Sequence, residues 1–127
     1  MLDLKPLSVV VAHCSAKAAE SLARSLHNHF RLVNVAHDFG ELRNSIPQHR
    51  ADVAVVDLEL AGLSQVQQLH QEFGTTTTIV CTHRLADEKM WMDALAAGAA
   101  DCCNASDIRA IVLAATSTEF LPHAHAA

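Results

Sequence analysis

A single acidic residue closes the most apolar run of the sequence. Asp57 follows Val53–Val56, and an earlier apolar run, Ser8–Ala12, is followed by His13 and Cys14. A carboxylate together with imidazole and thiolate could bind a softer ion such as Zn²⁺. However, adjacent residues at a strand end point to opposite sides, so His13 and Cys14 need not face one ion. Zn²⁺ is therefore a minor hypothesis, and the simpler one is that these side chains fill a polar pocket.

The cysteines give no sign of a metal or redox motif. Cys14, Cys81, Cys102 and Cys103 lie in apolar surroundings without CxxC spacing. A disulfide between the adjacent Cys102 and Cys103 would be strained. We therefore expect buried, reduced thiols, which fit a cytoplasmic protein.

Length and composition exclude several classes of function. The 127 residues fit one domain, which we place at 1–118, with 119–127 as a tail or the start of a linker. A net charge of -5 without a basic run disfavours direct nucleic-acid binding. The apolar runs are too short to span a membrane, and no signal peptide is evident. No nucleophile and base can be paired from spacing, so we do not expect an enzyme.

Short apolar runs alternate with amphipathic stretches along the chain. Apolar residues at helical spacing predict a helix over Ser15–Phe30 with Ser15 as N-cap, and Asp38 caps a second helix that stops near Pro47. Further helices end at Gly74 and Gly98, and a last one follows Ser106. The β-type runs are Ser8–Ala12, Leu32–Ala36, Val53–Val56, Thr77–Cys81 and Ala100–Cys103.

Continuous rather than alternating apolar strands indicate a parallel sheet covered by helices on both faces. Five strand–helix pairs then predict an α/β, doubly wound, flavodoxin-like fold with strand order 2-1-3-4-5 and five helices. In this fold the functional crevice lies at the carboxyl ends of the first and third strands, which here are His13–Cys14 and Asp57.

Three segments resemble the receiver domains of bacterial response regulators. Ala51–Gly62 is similar to their phosphoacceptor segment, with Ala61 in place of a usual proline. Ile79–Thr82 resembles their fourth strand, and Ala96–Ala99 resembles the Ala-Gly-Ala before their fifth. The resemblance extends over roughly residues 7 to 117.

The resemblance implies a phosphoryl switch in two-component signalling. A histidine kinase phosphorylates the aspartate after the third strand, and two acidic residues after the first strand hold Mg²⁺. A threonine after the fourth strand and a lysine after the fifth then bind the phosphoryl oxygens. Metal and ammonium neutralise the charge that develops during transfer.

Only part of this machinery matches the chain. Asp57 matches the phosphoacceptor and Thr82 the switch hydroxyl. The acidic pair falls on His13 and Cys14, which are poor Mg²⁺ ligands, and the lysine position falls on Ala105. The resemblance therefore implies an atypical receiver that acts through protein–protein contacts, needs no cofactor and binds Mg²⁺ weakly.

Met90 and Trp91 are the candidates for a partner face. Trp91 is the single tryptophan, and tryptophan is enriched at interface hot spots. On the same helix, Leu95 and either Met92 or Trp91 should face the core. In the family, the face formed by helix 4, strand 5 and helix 5 binds a second copy or an output domain, which in many members regulates transcription.

Two alternatives remain open. One is a working phosphoacceptor, phosphorylated on Asp57 by a histidine kinase. The other is a flavodoxin-like small-molecule binder, which is weakened because the turn His13–Lys17 after the first strand contains no glycine for a phosphate loop.

Overall fold

The apolar runs form one parallel sheet in the computed structural model, which describes residues 5–117. The strand order is β2-β1-β3-β4-β5, as the sequence predicted, and every neighbouring pair is parallel. The proposed tail at 119–127 lies outside the described residues. The strands are β1 Lys5–Ala12, β2 Phe30–Ala36, β3 Val53–Asp57, β4 Thr78–His83 and β5 Asp101–Asn104.

Polar side chains cap four of the five helices at their amino ends. Ser15 Oγ accepts a hydrogen bond from the backbone N–H of Ala18 at 3.2 Å, and Asp38, Asp87 and Asp107 cap their helices in the same way. Each cap satisfies an N–H group that has no partner within its own helix. The helices are α1 Ala16–Leu26, α2 Phe39–Gln48, α3 Leu63–Phe73, α4 Glu88–Ala96 and α5 Ile108–Ser117.

Two apolar layers enclose the sheet. On one side, Val9, Val11 and Val55 pack with α1 and α5. On the other, Val10 and Val56 pack with α2, α3 and α4. Because both faces are covered, β3 is buried over its whole length. The sheet thereby fixes the position of any residue at its carboxyl edge.

One predicted helix boundary needs correction, and two others are confirmed. Phe30 begins β2 rather than ending α1, since its ring is buried between sheet and helices. α2 stops near Pro47 as predicted, since it ends at Gln48 with Pro47 inside its last turn. Gly98 follows α4 as predicted. Its φ of 110° is strained for residues with a side chain, and a Cβ at this position would also clash with the ring of His70.

The prediction for the core-facing side of α4 was also wrong. Trp91 and Met92 are both exposed and Leu95 is half-buried, so only Ala94 is fully buried on this helix. The short helix lies over the β4–β5 edge of the sheet, where a small side chain suffices to reach the core.

Among the helices of residues 5–117, none has both the length and the hydropathy needed to cross a membrane.

Candidate functional site

Three strands bring their end residues together at the carboxyl edge of the sheet. Asp57 at the end of β3 is in register with Thr82 of β4. His13 directly follows β1, whose Ala12 is paired with Val56. All three side chains extend toward the side of the sheet that α1 and α5 cover, because they continue the alternation of Val11, Val55 and Val80.

The Asp57 carboxylate is buried and its oxygens are hydrogen-bonded by the protein. Thr82 Oγ1 donates to Oδ2 at 3.1 Å, and His13 Nε2 lies 3.3 Å from the same oxygen. The backbone N–H of Glu59 donates to Oδ1 at 2.9 Å. With the residue only 1% exposed, these donors replace the water that a free carboxylate would bind.

The turn that starts α1 orients the His13 ring. The backbone N–H of Ser15 donates to His13 Nδ1 at 3.0 Å, so Nδ1 acts as an acceptor and the proton of the neutral ring is on Nε2. Nε2 is also the ring nitrogen that lies 3.3 Å from Asp57 Oδ2. Ser15 also caps α1 through its hydroxyl, so one residue starts the helix and sets the tautomer of the histidine.

The other predicted site residues do not join this cluster. Cys14 is exposed, which corrects the expectation of four buried thiols. Ala105 lies between β5 and α5 and offers no cation, and its N–H donates to the carbonyl of His83 at 3.2 Å. The side chain of the neighbouring Asn104 is engaged with Arg84 O and Ser106.

Sequence reasoning missed an ion pair at the rim of the pocket. Arg84 Nη2 lies 3.5 Å from Glu59 Oε2, and both side chains are exposed enough for water to weaken the attraction. Glu59 lies two residues after Asp57, and Arg84 lies two residues after Thr82. This equal spacing could have predicted the contact, because equivalent positions on neighbouring parallel strands lie close together.

These donors do not fit Mg²⁺. That ion requires several oxygen ligands in octahedral geometry and prefers carboxylates and water. Here one carboxylate is surrounded by an imidazole N–H and a hydroxyl proton. Within residues 5–117, no group of three or more His, Cys, Asp or Glu side chains is placed to hold a metal ion. The Zn²⁺ hypothesis finds no support either, because Cys14 does not reach the His13–Asp57 pair.

The three buried thiols lie on β4 and β5, with Cys81 and Cys102 in the core layer under α2, α3 and α4 and Cys103 in the layer under α1 and α5. Burial, with smaller contributions from neighbouring thiols and Asp57, raises the pKa of Cys81 to about 12. Burial followed by the charge of Asp101 raises the pKa of Cys102 to about 11 and of Cys103 to about 12. Thiols of this kind are poor nucleophiles and poor metal ligands at neutral pH.

The residues of the predicted partner face separate on α4. Met90 is half-buried against the core, whereas Trp91 is 43% exposed and Met92 57% exposed. Trp91 Nε1 donates to Asp101 Oδ1 at 2.8 Å. The exposed indole is thus held in one orientation from the start of β5.

Searches against protein-family models and against curated proteins find no match to this sequence. Solved structures do match. The receiver domain of Francisella response regulator 1452 aligns with a TM-score of 0.75 at 20% identity, covering 87% of this chain and 94% of that one. The chain has the receiver fold.

Two further structures agree with the receiver fold. A two-component response regulator of the LuxR family from Aurantimonas sp. SI85-9A1 has a TM-score of 0.76 at 20% identity, covering 90% of this chain and 85% of that one. A chain of the CheX–CheY–BeF₃–Mg²⁺ complex from Borrelia burgdorferi has a TM-score of 0.74 at 20% identity, covering 92% and 91%. At this level of identity the likeness concerns the fold, and the chemistry must come from the residues.

Proposed function

We propose that this chain is an atypical receiver of two-component signalling that acts by binding other proteins and whose Mg²⁺-dependent phosphorylation on Asp57 is impaired. The receiver fold supports the signalling class. The contact of His13 Nε2 with Asp57 Oδ2 at 3.3 Å carries the rest, because it puts a protein donor where the family holds a metal ion.

Phosphoryl transfer to Asp57 would require three things that the pocket lacks. The attacking oxygen must be accessible, yet the residue is 1% exposed and its oxygens already accept hydrogen bonds. The developing charge must be neutralised by cations, whereas Ala105 supplies none and Nδ1 of His13 accepts a hydrogen bond from the Ser15 N–H. An in-line donor would also have to displace the imidazole.

A protein partner fits this chain better than a chemical substrate. The partner is a histidine kinase or another signalling protein, and the face around Trp91 is the surface for it. The same face, with β5 and α5, would serve a homodimer or an output domain elsewhere in a longer protein. Among structures with this fold, CheY occurs in a complex with CheX, which is a precedent for recognition between proteins.

Phosphorylation with a small-molecule donor tests the proposal. The protein is incubated with Mg²⁺ and acetyl phosphate, and intact mass is measured; binding of beryllium fluoride is followed in parallel by ¹⁹F NMR. We expect little or no modification. Stoichiometric phosphorylation that disappears in Asp57→Asn would overturn the proposal and favour a working phosphoacceptor.

A gain-of-function variant tests the physical reason. The triple variant His13→Asp, Cys14→Asp, Ala105→Lys restores the family's two carboxylates and its ammonium group. We expect it to accept phosphate on Asp57 in a Mg²⁺-dependent manner, while the same variant with Asp57→Asn does not. A folded triple variant that stays unmodified would contradict the idea that these three residues block the chemistry.

A further inference from the structure

A cavity opens at the amino edge of the sheet, at the opposite end of the strands from the Asp57 pocket. It lies beside the starts of β3 and β4 and has a volume of about 350 Å³. Small-molecule sites occupy about 300–1,000 Å³. Apolar side chains line it, with Ile46 and Pro47 at the end of α2 and Phe73 at the end of α3. We refer to it as the amino-edge cavity.

Two opposite charges line the amino-edge cavity without pairing with each other. Arg50 and Asp52 both contribute to its lining, and within residues 5–117 neither side chain takes part in an ion pair. Asp52 Oδ2 accepts a hydrogen bond from the backbone N–H of Ser8 at 2.9 Å, which fixes the carboxylate and leaves Oδ1 for a further donor. A small ligand that carries charges of both signs is complementary to this arrangement.

The other polar side chains of the cavity can only accept hydrogen bonds from a ligand. Thr76 Oγ1 and Thr77 Oγ1 already donate their protons to backbone carbonyls, at 3.3 and 2.8 Å, so each oxygen retains only lone pairs. Together with Asp52 they make three acceptors, whereas Arg50 is the one side chain among the residues lining the cavity that donates. The lining therefore favours a ligand with several N–H donors and a single anionic group.

The backbone of Arg50 provides an observation independent of these charges. Its φ of 49° lies in the left-handed region, directly after α2, where the Ala51 N–H donates to the Ile46 carbonyl at 2.9 Å. Glycine is the usual residue at this position of a helix end, because a side chain strains the backbone there. Such strain tends to persist where the side chain serves a ligand, and the Arg50 side chain lines the cavity.

We infer that the amino-edge cavity binds a free α-amino acid with an apolar side chain. The ligand's carboxylate pairs with Arg50, whose planar fork of donors matches it. Its ammonium group donates to Asp52 and the threonine hydroxyls, and its side chain lies against Ile46, Pro47 and Phe73. The inference goes beyond the proposed function and requires no assumption about Asp57.

NMR titration of the full ¹⁵N-labelled chain tests the inference. The probes are L-valine, L-leucine, L-methionine and L-phenylalanine at millimolar concentrations. Isocaproate, which is leucine without its ammonium group, and isoamylamine, which is leucine without its carboxylate, are the matched analogues. We expect saturable amide shifts at residues 46–52 and 73–77 with at least one amino acid, and binding about tenfold weaker once either charged group is removed from it.

Three results of this titration would overturn the inference. The first is the absence of saturable shifts with all four amino acids, and the second is shifts confined to other surfaces. The third is equal binding of the analogue without an ammonium group, which would indicate a simple carboxylate site.

Variants at the two charges separate a built site from weak general binding. Arg50→Gly relieves the strained backbone and removes the guanidinium, so Tm should rise by about 3 °C while affinity falls about tenfold. Asp52→Asn keeps an acceptor for the Ser8 N–H and should also lose about tenfold. The controls Arg24→Gln and Glu20→Gln change exposed charges on α1 and should leave affinity within about twofold.

The Arg50→Gly variant also gives the sharpest contrary result. A more stable variant that binds the amino acid as tightly as the parent would show that the arginine serves no ligand, and the inference would be wrong. Equal losses of affinity in the test and control variants would likewise exclude the amino-edge cavity as the site. The acetyl phosphate experiment on Asp57 has no bearing on either outcome.

Discussion

Two carboxylates in this molecule each contact the ring nitrogen of a heteroaromatic side chain, in opposite surroundings. Asp57 meets His13 in a pocket where it is 1% exposed, and Asp101 meets Trp91 at the surface. In the pocket the ring nitrogen lies against a buried acid. At the surface the carboxylate orients the ring instead. The same kind of contact thus holds a buried acid in one place and orients an exposed indole in the other.

Burial decides what each pair contributes to stability. A buried carboxylate that loses its donor is left with an uncompensated desolvation cost, whereas water replaces a lost donor at the surface. We therefore expect large effects around Asp57 and small ones around Trp91. Variants at the two sites should therefore differ in their effect on the free energy of unfolding.

The largest effect is expected from His13→Asp, which replaces the donor with a second negative charge against Asp57. Without divalent cations the free energy of unfolding should fall by about 2–4 kcal/mol, because two carboxylates then share a buried site. Millimolar Mg²⁺ should restore part of the loss. Urea unfolding with EDTA and with Mg²⁺ measures both.

Cys14→Asp is the matched control for that variant. Its side chain is exposed, so its unfolding free energy should change by no more than about 0.5 kcal/mol. Similar losses in the two variants would mean that the His13–Asp57 contact is not what distinguishes the pocket.

Thr82→Val removes the second donor to Asp57 Oδ2 while keeping the shape of the side chain. We expect a loss of about 1–3 kcal/mol in unfolding free energy, the cost of one unsatisfied group on a buried acid. Thr82→Ser keeps the hydroxyl and should lose less. A Val variant as stable as the parent would show that the 3.1 Å bond does not hold the carboxylate.

At alkaline pH the buried thiols should also affect the free energy of unfolding more than the exposed thiol does. The pKa of Cys81 is raised from 9.0 to about 12 in the folded protein, chiefly by burial. Its contribution to stability is fully present below pH 9 and is lost as pH rises toward 12, because the unfolded chain releases the proton first. From pH 9 to 10 the parent should lose about 1 kcal/mol more than Cys81→Ala.

Denaturant unfolding at closely spaced pH values measures this difference. Cys14→Ser, which removes an exposed thiol, should follow the parent curve. Parallel pH curves for the parent and Cys81→Ala would contradict the raised pKa.

Trp91→Phe should have the smallest effect. The ring is 43% exposed and water can solvate Asp101 in its place, so the unfolding free energy should change by about 0.5 kcal/mol or less. Asp101→Asn, which retains an acceptor, is the control for the hydrogen bond. A loss comparable to that of Thr82→Val would remove the contrast between the two pairs.

The sequence was informative where the pattern was repetitive. Continuous valine runs predicted the parallel sheet and its strand order, and Ser15 and Asp38 were identified as caps because their chemistry is local. It failed at Phe30, where an apolar residue fits the helical spacing and the strand equally well. On α4, the spacing could not tell that a helix at the sheet edge leaves Trp91 and Met92 exposed.

Only part of the site could be predicted from the sequence. Asp57, Thr82 and His13 were placed by position at strand ends, and the structure brings them together. The orientation of the His13 ring could not be predicted, because it depends on the backbone N–H of Ser15 in a particular turn. The Trp91–Asp101 bond was missed for a related reason, since it joins a helix to a strand ten residues further on.

The hydrogen bonds that Asp57 accepts from the protein itself have a consequence for signalling. Under the proposed function, a buried carboxylate that the protein's own donors hold would have little affinity for a dissolved ion or a transferable group. Under the proposed function, the chain would not report the activity of an upstream donor as a reversible chemical mark. It would instead signal through its concentration and location in the cell, which depend on synthesis, turnover and competition among the proteins that bind it.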